Sequence, residues 1–383
     1  MTIEEILSNE ELRRHEFPVV SKKIYLAHAG VCPLPRRIAE AIKSYSDACM
    51  LDDQETVIPS RLFQDTRASA AQLLDAKPEE IALIGPTSIA LSFIAGGVKI
   101  RRGENIVVYF DDYPSNVYPW MTLADRGVEV RFLNIRELGR IRPIDVIGQI
   151  DESTQLVALA SSHFLSGHRI DIEAIGKALR DRGILFCVDA IQTLGAFPTS
   201  VKQVDYLAAD AHKWLLGPCA GGVMYVRKES QDRLRPTTQG WHNLRCPNYS
   251  AQEDLVYRED ARRYEAGTAN LLSIVGLKAS LDLILELGIE TIGRELWRKR
   301  SWMVPALQEK GYLVLNADGA LNNSGGSITF SKPETDMRSL HSRLEAANIV
   351  SSLRTDRAGN NYIRFSPHFY NTDQELHQTL EQL

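Results

Sequence analysis

Between residues 81 and 226 the chain alternates short apolar runs with amphipathic stretches. The runs at 81–84, 105–110, 155–160, 184–189, 204–208 and 222–226 show no polar alternation, which predicts strands buried on both faces. A further short strand is predicted at 129–133. Residues 89–98 and 171–182 carry helical periodicity. The first of these is apolar nearly all round and so predicts a buried helix. Strands alternating with helices predict an α/β architecture, a mainly parallel sheet covered by helices. Upstream, residues 1–20 read as a short helix and an extended arm. A short strand follows at 24–30, then helices up to about 50 and over 61–75. Residues 227–262 are polar and turn-rich. Long helices are predicted at 274–287 and 292–308. Strands at 312–315, 326–330 and 362–365 follow, with helices near 339–347 and from 373. That end reads as a separate α+β unit. The predicted organisation is an arm (1–20), a large domain (21–262) and a small C-terminal domain (263–383).

Polar clusters at 85–88, 111–116, 161–167, 189–192 and 210–213 each follow a predicted strand. In parallel sheets ligands bind beyond the carboxyl ends of the strands, so these clusters converge on one candidate site. Gly85-Pro86-Thr87-Ser88 opens a helix, and a helix N-terminus with hydroxyls favours an anion. A plain helix cap is the alternative, and the motif is not a P-loop, since no Gly-Lys-[Ser/Thr] follows. Lys213 follows one strand and His212, and Asp189 ends another. An amine that can form a Schiff base, with a carboxylate to keep a pyridine nitrogen protonated, suits pyridoxal phosphate (PLP). A solvated surface lysine is the alternative reading.

The net charge of -5 over 383 residues makes no electrostatic case for nucleic acid or an anionic membrane. Cys32, Cys49, Cys187, Cys219 and Cys246 are widely spaced, without the pairing a disulfide framework or zinc site needs, so no metal is expected. Cys187 and Cys219 are read as buried, inert thiols. The start of the chain is acidic and lacks an apolar signal core, and no run reaches bilayer length. A cytoplasmic protein is expected.

Val188-Asp189-Ala190-Ile191-Gln192, His212-Lys213-Trp214 and Arg263-Tyr264-Glu265-Ala266-Gly267-Thr268-Ala269-Asn270 together resemble the class V aminotransferase family of fold-type I PLP enzymes. The closest branch contains cysteine desulfurases, selenocysteine lyases and isopenicillin N epimerase-like proteins. The likeness runs from Tyr25 to Thr372. It implies that Lys213 carries the cofactor and moves the Cα proton, and that Asp189 partners the pyridine nitrogen. It implies that Gln192 meets the phenolic oxygen, and that Thr87, Ser88 and His212 hold the phosphate. Thr268 would reach the phosphate of a partner subunit, which implies a homodimer with shared sites. Arg364 would grip the substrate α-carboxylate. His28 and Ser166 fall where the family approaches the substrate.

The chain also departs from the family pattern. Tyr113 stands where the desulfurase branch stacks a histidine on the cofactor. Tyrosine can stack but moves protons poorly near neutral pH. The stretch 353–361 holds no cysteine where desulfurases place their nucleophile. Asp210 stands where a small or hydroxyl residue is usual, and is expected to turn away from phosphate. Arg354 is read as a surface ion-pair residue, with contact to a second acidic group of the substrate as the alternative. The resulting expectation is a PLP enzyme acting at Cα of a small amino acid, with aminotransferase chemistry first. A β-lyase (C–S lyase-like) ranks close behind, then an epimerase, and a non-enzymatic scaffold last.

Overall fold

The computed structural model describes residues 1–383. After an N-terminal pair of short helices comes strand β1 (Ile24–Tyr25). The large sheet is built from β2 (Ile81–Ala82), β3 (Asn105–Val108), β4 (Glu129–Phe132), β5 (Thr154–Ala160), β6 (Leu185–Asp189), β7 (Tyr206–Asp210) and β8 (Gly222–Val226). Its order is β2-β8-β7-β6-β5-β3-β4. Strands β4, β3, β5, β6 and β7 run parallel, and β8 is antiparallel to both β7 and β2.

The apolar runs are explained by burial on both faces. In β5, Val157 and Leu159 point into one core and Leu156 and Ala158 into another. The same alternation holds in β6 (Phe186 and Val188 against Leu185 and Cys187) and in β7 (Leu207 and Ala209 against Tyr206 and Ala208). A strand covered by helices on each side has no polar face to show. The helix Leu271–Leu287, although it falls within 263–383, packs Ile274, Leu277, Leu281 and Ile284 into the larger of these cores.

The C-terminal residues form a second sheet from β9 (Leu313–Val314), β10 (Ile328–Ser331), β12 (Ser352–Thr355) and β13 (Asn361–Phe365), in the order β12-β13-β10-β9. Its core contains Met303, Leu307, Leu340, Leu344, Leu376 and Leu380. Strand β11 (Ile349–Val350) pairs with β1, which brings Leu26 into that core. The arm ties to the C-terminal residues as well: Arg13 pairs with Glu375, and Phe17 stacks on Tyr370 within the larger core. Strand β12 was not expected, because its polar sequence, Ser352-Leu353-Arg354-Thr355, reads as loop. It forms as an edge strand held by backbone pairing to β13. No helix is long and apolar enough to cross a membrane, and no group of three or more His, Cys, Asp and Glu side chains is placed to hold a metal ion.

Candidate active site

The sheet topology brings the chemistry to one end. β6 ends on Asp189 and β7 on Asp210, three residues before Lys213. Because β2 and β7 are each antiparallel to β8, the turn after β2 arrives at the same end as Lys213. Gly85 lets that turn lie on β8: a Cβ there would sit 2.7 Å from the Ala220 carbonyl oxygen and 2.8 Å from the Gly222 nitrogen. The result is a cavity of about 320 Å³ walled by Thr87, Ser88, Tyr113, Asp189, Gln192, His212, Lys213 and Arg364. A larger cavity, about 470 Å³, takes in the flanking residues Gly85 and Ile89 but contains neither Lys213 nor Asp189.

Lys213 is buried, and desolvation pushes its amine down to about 8, with Asp189 pulling the other way and Arg364 and Arg354 adding to the fall. Its Nζ lies 5.4 Å from the centre of the Tyr113 ring. Asp189 is likewise buried, and desolvation lifts its carboxyl to about 7. Only one of its oxygens has a partner, the Ile191 N–H at 3.0 Å. A buried carboxylate in that state is stabilised by a cation beside it.

Sequence reasoning did not single out Asp112. It is a second buried acid, pushed up to about 6 by desolvation, and its charge acts on Asp189. It accepts from the Tyr113 N–H at 2.7 Å, from Asn116 Nδ2 at 3.0 Å and from the Ala160 N–H at 3.2 Å. It therefore sets the backbone from which the Tyr113 ring projects. The signal was an Asp-Asp-Tyr-Pro run directly after an apolar strand.

At the other end of the cavity the helix Thr87–Gly97 begins without any side-chain cap. Its first N–H groups are open donors, and Thr87 Oγ1 accepts from the Asp210 N–H at 2.9 Å. Asp210 turns away from this corner. Its carboxylate takes His212 Nδ1–H at 2.7 Å, the Ala211 N–H at 3.0 Å and the Ala220 N–H at 3.1 Å. A carboxylate only accepts, so Nδ1 carries the hydrogen and His212 keeps Nε2 for the cavity.

Arg364 on β13 is almost fully buried, and its Nε and Nη2 find no partner in the protein. Its one hydrogen bond runs from Nη1 to the Phe164 carbonyl. Such an orphaned fork suits a carboxylate that is not part of the chain. Arg354, on the neighbouring β12, also lines the cavity and forms no ion pair, which overturns its reading as a surface ion-pair residue. Gln192 lines the cavity too, with Nε2 donating to the Ala29 carbonyl at 3.1 Å and Oε1 accepting from Trp214 Nε1 at 3.0 Å. These bonds lock its amide and tie it to the residue after Lys213.

Three expected site residues lie elsewhere. His28 is fully buried and spends both ring nitrogens inside the core, on the Ser366 carbonyl at 2.8 Å and the Tyr370 hydroxyl at 2.6 Å. Desolvation lowers its pKa to about 4, so it stays neutral. Ser166 is buried against His163 Nδ1 at 3.1 Å and lines a different cavity. Neither faces Lys213. Thr268 is exposed and lines the larger cavity, so it does not reach Lys213 within one chain. Cys187 is buried, but Cys219, expected to be buried, is exposed. No cysteine lines the Lys213 cavity.

The donor set fits PLP. A buried acid without a cation faces the lysine, and an uncapped helix start with His212 lies across from it. The family described as aminotransferase class-V matches residues 24–378. A probable cysteine desulfurase of Methanothermobacter thermautotrophicus is 28% identical, with 98% of each chain covered. An uncharacterized aminotransferase, YcbU, of Bacillus subtilis is also 28% identical, over 97% of each. Among solved structures, the apo cysteine desulfurase of Thermococcus onnurineus NA1 superposes with a TM-score of 0.88 at 24% identity, covering 97% of this chain and 96% of that one. A cystine C–S lyase in complex with its product cysteine persulfide gives 0.84 at 21% identity, covering 96% and 98%.

Proposed function

The chain belongs to the class V aminotransferase family of PLP-dependent enzymes, and from that premise we propose that it is a C–S lyase, cleaving the Cβ–S bond of a small sulfur-bearing amino acid by elimination. The observation that carries this reading is the absence of any thiol on the wall of the Lys213 cavity. Relatives named cysteine desulfurase and cystine C–S lyase support C–S chemistry. The sequence alone ranked transamination ahead of elimination, and the weight of the relatives reverses that order. With no cysteine of the chain at hand, the sulfur leaves with its own fragment rather than passing to a protein thiol.

When bound, PLP supplies an aldehyde to capture the amino acid and a ring that takes up electron density from Cα. The chain does the rest. Lys213, pushed down to about 8, carries far more free amine near neutral pH than an ordinary lysine, so it can hold the aldehyde and later take a proton at Cα. Asp189 holds the proton on the ring nitrogen, which relieves its own uncompensated burial. The open N–H groups of Thr87 and Ser88, with His212, hold the phosphate. Arg364 receives the α-carboxylate on its free Nε and Nη2. Tyr113 covers the lysine and limits water. Gln192, locked by Trp214, lines the phenolic side.

The working unit is a homodimer, with Thr268 supplied across the interface. Its exposure, and its absence from the wall of the Lys213 cavity in one chain, support this. The test of the carrying observation is turnover of cystine or cysteine by holoenzyme with each of the five cysteines replaced singly by serine. Activity retained in all five supports elimination. Loss confined to sulfur release in one of them would show a relay thiol and overturn it.

A further inference from the structure

The cavity carries a second guanidinium that the α-carboxylate does not account for. Strands β12 and β13 pair with Ser352 opposite Arg364 and Arg354 opposite Tyr362. Arg354 and Arg364 are therefore diagonal neighbours on one face, a separation of roughly 7–8 Å for antiparallel strands. Both line the cavity. Arg354 spends Nη1 on the carbonyl of the preceding residue, Leu353, at 3.1 Å. It meets no carboxylate, although one lies close in sequence: Asp356 is taken up by Asn360 and Tyr362. Arg357, three residues on, shows the ordinary alternative, paired with Asp111 at 2.9 Å and stacked on Phe110.

The charges on the wall do not balance. Lys213, Arg354 and Arg364 face one acid, Asp189, which the ring nitrogen would occupy. Asp210 is turned onto His212. Burial pushes both guanidiniums and the lysine down, and the charge of Arg354 adds to the fall of Arg364 and Lys213. Leaving such groups unpaired is costly, and an incoming anion relieves the cost. One carboxylate satisfies Arg364 and leaves Arg354 unpaired on the same wall, one diagonal step along the sheet.

We propose that Arg354 is a specificity residue that binds an acid group at the end of the substrate side chain, so that the site prefers small amino acids with two anionic ends, a carboxylate or sulfur oxyanion beyond Cβ, over neutral ones. This deepens the reading of the cavity as the amino-acid site and rests on it.

Binding of inert acids to the holoenzyme tests the proposal without relying on turnover. Succinate carries two carboxylates; propionate is the same acid with one carboxylate replaced by hydrogen. Calorimetric titration of the wild type is expected to give succinate at least tenfold tighter than propionate. Arg354→Gln is expected to abolish that preference while leaving propionate unchanged, and Arg354→Lys to keep part of it. Equal binding of the two acids, no succinate binding, or an undiminished preference in Arg354→Gln would overturn the proposal. Cysteine sulfinate and aspartate, titrated in the same way, separate the sulfur oxyanion from the carboxylate as the preferred group. If Arg364→Gln keeps both acids bound, the reading of the cavity itself fails. If no C–S cleavage is seen but the succinate preference holds, the lyase reading fails and this one stands.

Discussion

The carboxylate of Asp210 and the imidazole of His212 are joined at 2.7 Å, and this bond decides where the negative charge beside the cavity points. An acid at the anion corner would repel a phosphate. Held by His212 and two backbone N–H groups, Asp210 instead fixes the tautomer and direction of the ring.

Replacing Asp210 with alanine frees His212 and leaves the half-buried N–H of Ala220 without its partner, a loss of up to about 1–3 kcal/mol for such a group. The expected outcome is a lower melting temperature together with weaker PLP retention, tenfold or more, read from cofactor release on dilution. Asp210→Asn, which can still accept from the backbone, is expected to recover most of the stability.

Arg364→Gln is expected to separate stability from function. The native guanidinium is buried with two unpartnered nitrogens, so its removal relieves a cost. The melting temperature of the substrate-free protein should stay level or rise. kcat/KM should fall at least a hundredfold, since losing a charged hydrogen-bonded pair costs about 3–5 kcal/mol. Steady-state kinetics beside calorimetric melting checks both.

The pH dependence of the cofactor-free protein follows from Asp189 and Lys213. Burial raises the Asp189 carboxyl from 3.8 to about 7, so the native state holds a proton the unfolded chain has lost. That contribution is full below about pH 4 and is lost as pH rises through 7. Lys213 is depressed from 10.5 to about 8, so between those values the unfolded chain binds the extra proton and stability recovers as pH rises. Asp189→Asn is expected to flatten the fall between pH 4 and 7, and Lys213→Met the rise between 8 and 10.5. Melting temperatures across that range measure both.

His28→Ala is expected to act through the core alone. It strands the Tyr370 hydroxyl and leaves the Ser366 carbonyl only the backbone N–H of residue 28 at 3.4 Å, at a cost of about 1–3 kcal/mol. Stability should fall while KM for a tolerated substrate stays within about twofold. A large rise in KM with unchanged melting would restore the substrate role the sequence suggested.

Much of this was legible in the chain because strands buried on both faces cannot alternate, and β5, β6 and β7 therefore announce themselves. Strand ends then locate Asp189, His212 and Lys213 without further information. What stayed hidden depends on partners distant in sequence. β12 has no apolar signature and exists only through β13, so the place of Arg354 on the cavity wall could not be read. His28 sits one residue from the cavity-lining Ala29, yet its ring is claimed by Ser366 and Tyr370, more than 300 positions away. Asp112 looked like loop polarity until Ala160 and Asn116 closed on it.

The account is tested most directly by the products that holoenzyme makes from cysteine or cystine with no α-keto acid added. Elimination predicts pyruvate and ammonia in equal amounts, with sulfur released as sulfide or persulfide and no dependence on a keto acid. Alanine in place of pyruvate, or turnover that appears only when a keto acid is supplied, would contradict it.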